Sequence, residues 1–155
     1  MGRKILVPVD LGDHSVTVLN NARSITLEGD ELVLLHIVHD PSHLAGFHIP
    51  HQSTDQTRDE LVQDARKAME RFIERYAPGT SYLIGFGLPS KEILRVAERE
   101  QVEVLVIGSH RGGGILEHLF SSSTTKKILR RAPCSVEIVP LPLENEEELQ
   151  SKPKM

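Results

Sequence analysis

The chain is 155 residues long and 39% apolar, which suits one domain with a single substantial core. Its formal net charge is only -4, and part of that comes from four glutamates against two lysines after Pro142, so the body lacks the basic footprint of a nucleic-acid binder. The single cysteine, Cys134, excludes an intrachain disulfide and a cysteine-built zinc cluster, and no apolar stretch approaches the ~20 residues needed to cross a bilayer.

The opening Met1-Gly2-Arg3-Lys4 places charge before a short apolar run, Ile5-Leu6-Val7-Pro8-Val9. Pro8 and Asp10 end that run too early for a secretory signal, and Leu6 stands where a myristoylation motif needs Ser or Thr. The expectation is a cytosolic chain. This first run reads as a strand. Val18, Leu19, Ala22 and Ile25 then recur at helical spacing, with Gly29 just beyond. The second strand is Leu32-Val33-Leu34-Leu35-His36-Ile37-Val38. From His39 to Thr57 the chain is polar, with Pro41, Gly46 and Pro50, and reads as a long mobile loop. Leu61, Ala65, Met69, Phe72 and Tyr76 mark a second helix stopped by Pro78-Gly79.

A mixed third run, Ser81-Tyr82-Leu83-Ile84-Gly85-Phe86, suits an edge strand. Ser90 is placed to cap a helix carrying Ile93, Leu94 and Ala97, with Pro89 setting its entry. The fourth run, Val104-Leu105-Val106-Ile107, is apolar throughout, as are the first two at nearly every position, which marks strands covered on both faces. After the hydroxyl run Ser121 to Thr125, a last helix carries Ile128 and Leu129 as far as Pro133. Strand five, Ser135-Val136-Glu137-Ile138-Val139, is closed by Pro140 and Pro142. Domain boundaries follow: residues 1–142 form one domain and 143–155 a charged, disordered tail.

Alternation of this kind predicts a three-layer, doubly wound α/β fold with right-handed crossovers and a five-stranded parallel sheet. Ligands of such sheets bind beyond the carboxyl ends of the strands, where the winding reverses. With strand one central between strands two and four, that crevice follows Val9 and Ile107. The segment after Ile107, Gly108-Ser109-His110-Arg111-Gly112-Gly113-Gly114, lets backbone N–H groups approach a phosphate, and the following hydroxyl run opens a helix whose N-terminus favours anions. A flexible turn followed by a helix cap accounts for the same residues without a ligand. No Walker A spacing occurs. Gly85-Phe86-Gly87 lacks the third glycine of a dinucleotide fingerprint, and the third strand ends in these residues without the acid that receiver-type phosphotransfer would require.

Five segments in order carry a resemblance. Ile5-Leu6-Val7-Pro8-Val9-Asp10, Leu34-Leu35-His36-Ile37, Gly87-Leu88-Pro89, Val106-Ile107-Gly108-Ser109-His110 and Ile128-Leu129-Arg130-Arg131-Ala132-Pro133-Cys134-Ser135-Val136 resemble the universal stress protein family from Lys4 to Pro140. The resemblance implies the adenine nucleotide alpha hydrolase-like fold with strand order 3-2-1-4-5. It also implies a site for ATP or a related adenine nucleotide. Asp10 and the Ile37 backbone would face the adenosine, with Pro8 and Val9 beside them. Gly108, His110, Arg111, Gly112, Ser121, Ser122 and Ser123 would hold the ribose and phosphates. Many members bind ATP through Gly, two residues, Gly, nine residues, then Gly-Ser or Gly-Thr. Gly108 and Ser122 match that pattern, but Arg111 and Ser121 replace its second and third glycines, and Gly112 comes one place late. Arg111 either pairs with a phosphate in their stead or marks the branch of the family that binds no ATP. The resemblance further implies a symmetric homodimer built on strand five.

Other constellations carry less. His39, His43, His48 and His51 crowd one loop, but their spacing defines no known metal site. Asp10, His14 and His110 lack a paired nucleophile, and Cys134 reads as the start of a buried strand, so no catalytic residue is assigned. Asp10 also has a purely structural role open to it, capping the first helix in competition with Asp13 and Ser15. The leading expectation is a nucleotide-binding stress-response dimer. The alternative is a dimer without nucleotide that acts through protein interaction by way of the long loop; slow ATP hydrolysis ranks last.

Overall fold

The computed structural model describes residues 2–40, 54–110 and 122–141. In chain order the elements are β1 (Lys4–Pro8), α1 (His14–Ile25), β2 (Glu31–His39), α2 (Thr54–Tyr76), β3 (Ser81–Gly87), α3 (Pro89–Arg99), β4 (Val104–His110), α4 (Ser122–Arg131) and β5 (Ser135–Leu141). The five strands form one parallel sheet in the order β3-β2-β1-β4-β5. This is the predicted doubly wound topology, with the winding reversing between β1 and β4.

Strand alternation builds two cores. Ile5, Val7 and Val9 of the first strand segment face one layer together with Leu34 and Val106, and meet Val18, Leu19 and Ala22 of α1 and Met69 and Phe72 of α2. The intervening residues Leu6, Val33, Leu35, Ile37, Leu105 and Ile107 face the other layer, against Ile93, Val96 and Ala97 of α3 and Ile128 of α4. Both faces of β1, β2 and β4 are therefore covered, which is why these strands read as continuous apolar runs. Three of the residues chosen for the α2 face (Ala65, Met69 and Phe72) are buried, and Leu61 and Tyr76 are half-buried.

Several boundaries differ from expectation for identifiable reasons. The polar stretch expected as a loop ends sooner: His39 closes β2 and α2 already begins at Thr54. Thr54-Asp55 is suitable helix-start chemistry, masked by the polarity around it; residues 41–53 lie outside the described residues. Ser90 is not a cap. Leu88 occupies that position in extended geometry, Pro89 takes the first helical position, and Ser90 is buried one place further in. Gly29 serves the turn into β2 at φ 89°, while α1 ends on Thr26. Pro140 does not end β5, which continues to Leu141 beside His110. An edge strand tolerates the missing N–H. The tail after Leu141 also lies outside the described residues.

Candidate functional site

The carboxyl end of β1 is fastened to β2 before it turns. The Val9 N–H donates to the Leu35 carbonyl at 2.8 Å, and Val9 returns its own carbonyl to Nδ1 of His36 at 2.9 Å. That second bond places the ring proton on Nδ1. His36 was missed as a site-building residue, although a lone polar side chain in an apolar strand was its signal.

Directly after this clamp the backbone makes a tight turn at Asp10. Oδ1 of Asp10 accepts from the Gly12 N–H and from the Ser15 hydroxyl, both at 2.8 Å. Ser15 is buried, so this bond ties the turn into the first layer of α1. Leu11 is held at φ 65°, a left-handed conformation uncommon for a non-glycine residue. Asp13, the residue at the helix cap position, makes no side-chain capping bond. Asp10 is therefore not the cap of α1: Asp13 holds that position, and one oxygen of Asp10 instead links the turn at Gly12 to the Ser15 hydroxyl. Its other oxygen, Oδ2, accepts no hydrogen bond among the described residues.

On the opposite side of the reversal, β4 runs further than its apolar core suggested. Gly108, Ser109 and His110 stay in the ladder, opposite Val139, Pro140 and Leu141 of β5. The crevice therefore starts after His110 and not after Ile107. Gly108 has a packing reason to be glycine: a Cβ there would come within 2.8 Å of Leu141 and 2.9 Å of Val18. Its missing side chain makes room for α1 and β5. Arg111, Gly112 and Ser121 lie outside the described residues, while Ser122 and Ser123 open α4.

One turn into α4 stands Thr125, 7% exposed, whose Oγ1 has no hydrogen-bond partner among the described residues. Buried hydroxyls are nearly always bonded, because an orphan costs about 1–3 kcal/mol. Ile37, two residues before the end of β2, pairs with Gly85 and lies in the core under α3. Asp10, Pro8, Val9 and the ends of β2 and β4 are thus gathered at the carboxyl edge of the sheet, where α4 also begins.

Acid–base and metal chemistry find less support in the geometry. Burial pushes the Cys134 thiol up, away from the thiolate form, and the residue precedes β5 in a half-buried position. Among the described residues no group of three His, Cys, Asp or Glu is placed to hold a metal ion; His43, His48 and His51 fall outside them. No helix among the described residues is long and apolar enough to cross a membrane.

The sequence profile of the universal stress protein family matches residues 1–140. The chain belongs to the universal stress protein family. Its relatives include two universal stress proteins of Methanocaldococcus jannaschii: MJ0577, 26% identical across 90% of this chain and 95% of its own length, and MJ0531, 27% identical across 90% and 83%. The solved MJ0577 structure is similar at TM-score 0.71 and 25% identity, covering 91% of this chain and 97% of that one. UspA of Lactobacillus plantarum is similar at TM-score 0.64 and 23% identity, covering 88% and 97%. A universal stress protein solved in complex with cAMP is similar at TM-score 0.53 and 18% identity, covering 90% and 97%. The fold of this universal stress protein is accordingly the adenine nucleotide alpha hydrolase-like arrangement.

Proposed function

We propose that this universal stress protein takes ATP or a related adenine nucleotide at the carboxyl edge of β1 and β4, and acts as a cytosolic homodimer whose bound state conveys stress. The observation that carries the reading is Asp10. One carboxylate oxygen holds the turn, which fixes the orientation of the other at the winding reversal; that other oxygen has no partner among the described residues. A fixed acceptor suits a ribose hydroxyl or an adenine amino group. The Thr125 hydroxyl near the start of α4, without a partner among the described residues, supports an anion or its water shell at that helix, where the dipole also favours negative charge. Residues Arg111, Gly112, Ser121, Ser122 and Ser123 are the proposed phosphate holders, with Pro8, Val9, Ile37, Gly108 and His110 around them. The relative crystallised with cAMP supports the idea that this fold accommodates an adenine ring.

Asp10→Asn separates the two jobs of this side chain. An asparagine keeps the acceptor for Gly12 and Ser15 but places an amide donor where Oδ2 was. The variant is expected to keep the melting temperature and lose about tenfold or more in ATP affinity, the size of one charge-assisted bond. Unchanged affinity in a folded Asp10→Asn protein contradicts the site. Arg111→Ala tests the phosphate side in the same titration.

One observation favours a second reading. Gly108 is explained by packing alone, and Arg111 and Ser121 replace the other two motif glycines. A dimer without nucleotide, recognising proteins through the stretch between His39 and Thr57, accommodates all three facts. Such a protein loses its partners when that stretch is shortened and is indifferent to Arg111→Ala. Slow hydrolysis of ATP ranks behind both, since no group able to hold a metal ion accompanies Asp10 among the described residues.

A further inference from the structure

The layer opposite α1 and α2 carries a second feature. A groove of about 270 Å³ runs between α3 and α4, lined by Leu88, Ser90, Lys91, Leu94, Lys127, Arg130 and Arg131. Its floor is apolar and its rim holds four cations with no carboxylate. Among the described residues none of the four stands in an ion pair. Arg130 and Arg131 have a local reason to be basic, because they occupy the last turn of α4 and complement its dipole. Lys91 has the opposite relation to its helix. It lies in the first turn of α3, at the positive end of the dipole, where a cation is mildly unfavourable. Helix stability therefore does not account for this concentration of charge. An anionic partner does.

The same chain contains a segment of matching chemistry. Leu143-Glu144-Asn145-Glu146-Glu147-Glu148-Leu149 places four carboxylates between two leucines, against a groove with four cations and two leucines. The segment starts two residues beyond Leu141, the end of β5, and α4 leads directly into β5. Glu144 and Glu148 lie three and seven residues past Leu141, an extended reach of about 10 and 25 Å.

We infer that residues 143–149 dock in the α3–α4 groove of their own chain, carboxylates on the cationic rim and a leucine on the apolar floor. Exposed ion pairs are individually weak and screened by salt. Tethering offsets that weakness, because a short link holds the segment at about millimolar effective concentration. The docked state is therefore populated at low ionic strength and released by salt or by a stronger polyanion.

The test uses the isotope-labelled full chain and a variant carrying Glu144→Gln, Glu146→Gln, Glu147→Gln and Glu148→Gln, which alters no residue of the described fold. Docking predicts that the backbone amides of Lys91, Leu94, Lys127, Arg130 and Arg131 differ in chemical shift between the two proteins at about 20 mM salt. It also predicts that the difference shrinks several-fold at about 0.5 M. Superimposable groove amides at low salt overturn the inference. A difference that fades on dilution overturns it too, by assigning the segment in the groove to a second copy. Replacing Lys127 and Arg130 by Gln should abolish the response to the tail changes; an undiminished response would place the segment elsewhere.

Discussion

At the level of single residues, the carboxyl edge of the sheet separates roles that share one motif. Asp10 holds the turn through one oxygen, whereas Gly108 is closely packed by its neighbours. Gly108→Ala forces a methyl group against the stiff Val18 side chain and against Leu141. We expect a loss of about 1–3 kcal/mol in denaturant unfolding whether or not nucleotide is present. An Ala variant as stable as the native protein contradicts the packing account. A second residue-level prediction concerns Arg3 and Asp30, which tie the start of β1 to the start of β2. Asp30 accepts from the Arg3 backbone at 2.8 Å, from its guanidinium at 2.6 Å and from the Leu27 N–H at 2.9 Å. The Arg3 side chain, then these backbone N–H groups, lower its carboxyl from 3.8 to about 2. A lowered folded value means that the stabilisation is complete above 3.8 and disappears as pH falls toward 2. Unfolding midpoints should therefore drop more steeply across that window in the native chain than in Asp30→Asn. Parallel pH profiles contradict this assignment.

For the secondary-structure elements, the apolar patterns were legible because burial on two faces leaves an unambiguous trace. β1, β2 and β4 announced themselves through continuous apolar runs, and α1 and α2 through their spacing. The ends were harder to read, since hydrogen bonding in the ladder, rather than side-chain character, decides where a strand stops. Gly108-Ser109-His110 has loop composition yet remains strand because β5 continues alongside it. Pro140 looked like a terminator but lies on an edge. That edge also exposes Ile138 at 38%, an apolar side chain beside unpaired backbone groups. We expect this face of β5 to form the homodimer, so that Ile138→Lys converts a dimer to a monomer in analytical ultracentrifugation without changing the fold. A variant that sediments as the native protein does places the dimer face elsewhere.

In the molecule as a whole, strand order decided where the site should be sought. Order 3-2-1-4-5 brings residues more than a hundred positions apart in the chain to a single edge, and the sequence supported that order through alternation of elements and family resemblance. The place where the winding reverses was thus legible. The contacts of His36 and Ser15 were not, because each depends on a neighbour that only the folded chain supplies. Nor did the motif itself decide between ligand and packing. A glycine absent from a pattern, like one present, is explained only by what would touch its missing side chain.

The most direct test of the nucleotide reading is calorimetric titration of nucleotide-stripped native protein with ATP, AMP and cAMP, alongside mass spectrometry of what co-purifies. Our account predicts saturable binding of at least one of them at one site per chain, weakened by Asp10→Asn and by Arg111→Ala. Absence of heat with all three at millimolar concentration, together with a protein that purifies without nucleotide, would contradict it and leave the interaction dimer as the function of this fold.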